Sequence, residues 1–360
     1  MLPQAASAHA LLLQSDPAPD AVLASAPAAV TLVFSEPVTP AGQGIKVFDP
    51  SGGQVAGAVA VRGAVLIAPV RASPDGTYVV LWQVLAADTH PSRGAFSFSV
   101  RARSPNPYAG LVGAPEAGTA TPLGLALQAL GRWIHFAGYA LVFGVSAYAL
   151  VFHRRERFGR LVTAGIVLLV VAEPVALAGQ LASLSFDGDT AVAVLGSGFG
   201  RILGLRLAAA LLAWTVMATD SPWATLAIGA VVAALDGATA HAIPSVPVAG
   251  QALAAVHVAA MGLWAGGLVA FLRAPDARFG RYAVVTFGVA ALTGLVLALA
   301  HTSFGAALFT SDYGLALFVK VVVVAVAAVV ALTGRRRAEV ALAAAAVAAA
   351  ALVVSLPPPA

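Results

Sequence analysis

Eight times between residue 125 and the C-terminus the chain runs for some twenty residues with almost no charge. The runs lie near 125–151, 161–184, 201–218, 223–241, 251–272, 282–302, 314–333 and 339–356. About 20 apolar residues, at 1.5 Å each, cross the roughly 30 Å of hydrocarbon in a bilayer. Within lipid the backbone must satisfy its own hydrogen bonds, so such runs fold as helices. Only 10% of the 360 residues are charged and mean hydropathy is +0.90, whereas a soluble protein is about a quarter charged. The connectors supply an independent reading. Those after odd-numbered runs hold Arg154, Arg155, Arg157 and Arg160, then Arg273, Arg278 and Arg281, then Arg335, Arg336 and Arg337. Those on the other side carry Asp187, Asp189 and Asp312. Arg-rich loops stay inside, which predicts eight spans with the N-terminal part and the C-terminus both outside.

Residues 1–104 have another character. Basic and acidic residues balance there, and turn residues separate short β-branched or aromatic runs at Ala29–Phe34, Gly44–Phe48, Ala58–Arg62, Thr77–Leu85 and Ala95–Arg101. Tyr78, Val80, Trp82 and Val84 share one strand face; Phe96, Phe98 and Val100 share another. The expected fold is a small all-β sandwich. Ser104 to Pro122, rich in Pro and Gly, reads as a linker to an all-α membrane domain over 123–357. At the N-terminus, Ala6-Ser7-Ala8 has the form of a signal-peptidase site. Residues 1–8 are therefore read as the remnant of a longer signal peptide, and 9–103 as the exported domain, beginning at His9.

Charge and composition also exclude. A pI near 9.8 here reflects a few arginines in a charge-poor chain, not the basic face that nucleic acid requires. With no cysteine, disulfides, thiolate zinc sites, thiol nucleophiles and blue-copper centres are out. Seven histidines and three methionines are the remaining soft or borderline metal ligands. His9 as a first residue would chelate through its own amine and imidazole, a pair suited to Cu(II). Asp88 and His90, at i and i+2 of an extended chain, point to one side and can reach one ion, although most such pairs are exposed turn residues. In the helical part, His241, His257 and His301 fall at one depth, towards the outer border of the fourth, fifth and sixth runs. Ionisable residues in spans default to functional hypotheses, although a single intramembrane His is often only a hydrogen-bond donor between helices. Met261 follows His257 by one turn, and His153 sits within the inner Arg cluster.

His9-Ala10, Ser15-x-Pro17, Ala26-Pro27, Val30-x-Leu32-x-Phe34-Ser35-Glu36-Pro37-Val38, Gly76-Thr77-Tyr78, Trp82, Asp88-x-His90-Pro91 and Gly94-x-Phe96-x-Phe98-x-Val100 resemble the CopC family of periplasmic copper-binding proteins. The resemblance implies a cupredoxin-like sandwich holding Cu(II) through His9 (amine and imidazole), Asp88 and His90. Where that family usually has Asp-Gly-His, this chain has Asp88-Thr89-His90. Some relatives carry a Met-rich Cu(I) site; here the domain has no Met beyond Met1. Phe199-Gly200-Arg201, Leu205-Arg206-Leu207, Ala240-His241-Ala242, His257 through Trp264-Ala265-Gly266-Gly267, Arg278-Phe279 and Ser311-Asp312-Tyr313-Gly314 through Lys320 resemble the CopD family of copper-resistance membrane proteins. Its membrane histidines correspond by position to His241 and His257; His301 is placed by depth.

The resemblances imply a CopC–CopD-like fusion in the bacterial inner membrane, not an enzyme, whose partners are copper and the bilayer. It would bind copper outside and pass it inward through the helices. No Walker A or Asp-Lys-Thr-Gly motif is present to couple ATP. A haem-binding redox protein using paired histidines and a copper sensor or buffer are the alternatives. Glu173, Arg206, Asp236 and Lys320 lie at membrane depth, where opposite charges usually pair, so ion pairing is their expected role and a cation or proton path the sharper one.

Overall fold

Alternation builds the N-terminal strands. In β3 (Ala29–Phe34), Val30, Leu32 and Phe34 turn inward while Thr31 and Val33 stay partly exposed, as a period of two requires. The structure is a computed structural model that describes residues 10–71, 74–86, 91–117, 120–153, 158–219, 221–240, 243, 246–302 and 307–356. Among these, one sheet runs β1 (Leu12–Asp16), β3, β6 (Val65–Pro69), β5 (Ala60–Arg62). The other runs β2 (Val22–Leu23), β8 (Pro91–Val100), β7 (Gly76–Leu85), β4 (Thr39–Phe48). All these pairings are antiparallel except β2 with β8. Between the sheets lie Phe34, Tyr78, Trp82, Phe96 and Phe98, with Tyr78 stacked on Phe98 at 5.2 Å. The expected sandwich is therefore present, with strands added to those read from the sequence. Part of the stretch read as a linker is ordered: β9 (Gly113–Ala117) pairs with β8. The same compact unit includes residues 180–201, whose short helix α3 (Gly188–Gly196) is capped by the Asp187 carboxylate accepting from the Thr190 amide.

The helical unit consists of α1 (Pro122–Val151), α2 (Gly159–Ser183), α4 (Gly198–Met217), α5 (Pro222–Ala238), α6 (Pro247–Arg273), α7 (Phe279–Thr302), α8 (Ala307–Thr310), α9 (Asp312–Leu332) and α10 (Arg336–Ser355). Seven of these are long and apolar enough to cross a bilayer, so the expected eight is approximate. The fourth run, expected over 223–241, yields only the 17 residues of α5, about 26 Å of helix. It stops where Thr239 caps it, the Thr239 hydroxyl donating to the Asp236 carbonyl.

Glycines let α1 and α6 approach closely. A Cβ on Gly144 or Gly266 would strike the facing backbone, and one on Gly262 would enter the Tyr139 ring. Small residues at this spacing replace the hydrophobic drive that helices lack in lipid. At this contact α1 loosens into a π-turn, Ala140–Gly144, a device common where a helix must accommodate a neighbour.

Candidate metal centre

The ligands expected in the β-domain, His9, Asp88 and His90, lie outside the described residues. Their flanks are described. Leu85 pairs with Pro91, so residues 86–90 connect β7 to β8. Leu85 also pairs with Thr39 at the start of β4. At the other side of the β3–β4 turn, the Leu11 amide donates to Ser35 Oγ and the Ser35 amide to the Leu11 carbonyl. Ala10 and the ends of the β7–β8 connection therefore meet at one end of the sandwich. Trp82 closes the core beneath it, edge-on to Phe34 at 5.3 Å. Gly94, its cross-strand partner, leaves the indole room: a Cβ there would fall 2.6 Å from the ring.

Of the three membrane histidines, His241 lies outside the described residues, and His301 is described only as backbone in the last turn of α7. His257 on α6 is fully described. Its Nδ1 is 2.9 Å from the Ala290 carbonyl and 3.0 Å from Thr293 Oγ1 on α7. A carbonyl only accepts, so Nδ1 carries the hydrogen and Nε2 keeps its lone pair. Gly294 makes space for the ring, since a Cβ there would sit 2.8 Å from Cε1. Lys320 Nζ on α9 faces Nε2 at 3.4 Å, a long contact. The site thus presents one neutral nitrogen donor, oriented from behind as metal-binding imidazoles are. Met261 is half-buried one turn along; His153 is exposed beyond α1 with φ at +54°. Among the described residues no cluster of three His, Cys, Asp or Glu is arranged to hold a metal.

Sequence reasoning named Glu173, Arg206 and Asp236 of a second polar group without assembling them. His135 on α1 sits between Glu173 on α2 and Asp236 on α5, and Asp236 touches Arg206 on α4. Three isolated charges in apolar runs were the only signal for it.

Residues 12–101 match the CopC domain family, 122–245 the copper resistance protein D-like N-terminal domain, and 276–356 copper resistance protein D. Protein YobA of Escherichia coli (strain K12) is 37% identical over 99 residues, 26% of this chain and 80% of that protein. Copper resistance protein C of Xanthomonas campestris pv. juglandis is 32% identical over 106 residues, 27% of this chain and 83% of that protein. The chain belongs to the CopC–CopD fusion family. Copper transport protein CutJ of Bacillus subtilis (strain 168) aligns with such a fusion along 89% of this chain and 66% of its own length, at 25% identity. As a CopC–CopD fusion it is a multi-pass membrane protein of the copper-resistance and copper-transport class. These families are binding and transport proteins rather than enzymes.

Proposed function

We propose that this fusion captures Cu(II) outside the membrane and passes it inward through its helices. Copper is the cargo. In this reading His9 (with the amine freed by processing behind Ala8), Asp88 and His90 take the ion first, and His257, with His241 and His301, takes it next. The β-domain over 9–103 faces outward and is joined through 104–122 to the membrane domain over 123–357. The Arg-rich connectors support that orientation, and a short tether keeps donor and acceptor at roughly millimolar effective concentration. Passing from an aspartate-containing site to neutral imidazoles lowers the ligand charge, which weakens the hold on Cu(II) and helps its release.

The observation that carries the reading is His257: a half-buried imidazole in a glycine cradle, its Nδ1 tied to a carbonyl and its Nε2 lone pair turned to Lys320, the partner a cation would displace. Copper accumulation in cells bearing wild type, His9→Ala or His257→Ala tests it. The expected result is a loss of accumulation in both variants at equal protein level. Equal accumulation in all three overturns transport and leaves a copper buffer.

A further inference from the structure

The metal path leaves unused the polar group buried between α1, α2, α4 and α5. His135 Nδ1 lies 3.4 Å from Glu173 Oε1, and Nε2 lies 3.1 Å from Asp236 Oδ2. Arg206 Nη2 touches Asp236 Oδ1. Side chains of His135, Glu173 and Asp236 are only 6%, 3% and 4% exposed. The Nε2–H donates to Asp236, whereas Nδ1 makes no hydrogen bond within its 3.4 Å approach to Glu173. Among the described residues the ion-pair partners of the ring are Glu173 and Asp236; Tyr139, one turn along α1, directs its hydroxyl to the Gly229 carbonyl.

Charge counting separates two roles. Asp236 and Arg206 neutralise each other, and a structural ion pair would end there, since guanidinium is always charged. Glu173 adds a second carboxylate, and among the described residues no Lys or Arg pairs with it. Only a proton, held by His135 or by Glu173 itself, makes the buried group neutral. A net charge at this depth is costly in either direction. The proton has two homes 3.4 Å apart. On Nδ1 it gives imidazolium facing carboxylate. Transfer breaks Nδ1–H and forms Oε1–H, leaving a neutral imidazole that accepts from a carboxylic acid, while Nε2–H stays on Asp236.

We propose that Glu173 and His135 form a proton-binding site of the membrane domain, exchanging one proton and anchored by Asp236 and Arg206. A chain without a nucleotide-binding motif thereby acquires a group able to respond to a proton gradient.

The test uses the full chain in lipid bilayers and does not depend on copper movement. Infrared difference spectra and ring-nitrogen NMR of labelled histidine are recorded between about pH 5 and pH 9, a span bracketing imidazole titration. In the wild type a protonated-carboxyl carbonyl band and one histidine signal are expected to change together. Glu173→Gln should abolish the carboxyl change, and His135→Gln should abolish the histidine change. If Glu173→Gln fails to fold, Glu173→Asp serves, keeping the coupled change at a shifted carbonyl frequency. A wild type in which neither group changes protonation across the range overturns the proposal, as does a carboxyl band that Glu173→Gln leaves intact or Glu173→Asp leaves unshifted.

Discussion

Two imidazoles of the helical unit, buried His135 on α1 and half-buried His257 on α6, differ in what their nitrogens face. His257 has an acceptor behind it, the Ala290 carbonyl, and a donor before it, Lys320. His135 has carboxylate oxygens on both sides. The first arrangement suits a neutral ring with one lone pair; the second has no place for a lone pair unless Glu173 supplies the hydrogen. The same residue type, in helices of similar composition, is thus set up as a metal donor in one place and a proton carrier in the other. Partners on neighbouring helices decide which. The glycine contacts of α1 with Gly262 and Gly266 lie on the opposite side of α6 from His257, so the two settings stay apart.

The sharpest way to break this contrast is to remove an anion from the His135 side. Asp236→Ala leaves Arg206 and the imidazole without their shared counter-charge, a loss of about 3–5 kcal/mol for a buried pair. The expected outcome is a large fall in melting temperature of the purified protein, with Asp236→Asn intermediate. His257→Ala, which removes no charge, should melt near the wild type. Equal melting of Asp236→Ala and His257→Ala would show that the first cluster carries no more electrostatic load than the second.

The next effect is at Lys320. Unit charges about 4 Å apart repel by about 4 kcal/mol at an effective dielectric near 20, so an ion on His257 Nε2 must push this ammonium aside. Lys320→Met is expected to tighten copper binding by the membrane domain on the order of a hundredfold. Competition titration in a His90→Ala background, which silences the outer site, reads it. Unchanged affinity means the ammonium already points away when the metal is bound.

Gly294→Ala should act in the opposite sense and more weakly. Its methyl group would press on Cε1, and overpacking of this kind costs about 1–3 kcal/mol. The ring then leaves its carbonyl, and the same titration should show about tenfold weaker binding, with little change in the infrared signature of Glu173.

These outcomes turn on features that were unequally legible in the sequence. Alternation gave β3 at its observed bounds, because both neighbours in its sheet leave one face to the core. The edge strands β1 and β9 were not legible in this way. β1 shows no clean alternation and has a register shift in its pairing with β3, and β9 arises in a Pro/Gly stretch only because β8 offers an unpaired edge. β6 follows β5 through the Gly63 turn, φ +61°, which local composition signals but does not pair. Hydropathy located the helices, yet not the π-turn, which packing of Gly144 against α6 imposes. His257 was visible as an anomaly in an apolar run. Its cradle was not, since Gly294 and Lys320 reach it only through the packing of α7 and α9. The file from Glu173 to Arg206 likewise needs four helices in place before single charges become a group.

The smallest prediction lies in the β-domain, far from either imidazole. Asp49 accepts from the Ser51 amide and hydroxyl and from the Gly53 amide, at 2.8, 2.6 and 2.8 Å. These bonds, the Ser51 hydroxyl foremost, hold its carboxyl below the usual range. A depressed carboxyl stabilises the fold above its unfolded pKa and loses that contribution as pH falls through the lower folded value. The turn is largely solvated, so screening leaves about 0.5–1 kcal/mol. Hydrogen exchange over Asp49–Gln54 in the full chain is expected to quicken a few-fold in Asp49→Asn at neutral pH. The wild type should approach the variant only in acid, below the ordinary aspartate range. No such convergence, with exchange near α6 unchanged in both, would mean the turn is held by its backbone bonds, from the Asp49 amide to Gly53 and from the Gly52 amide to Asp49, rather than by charge.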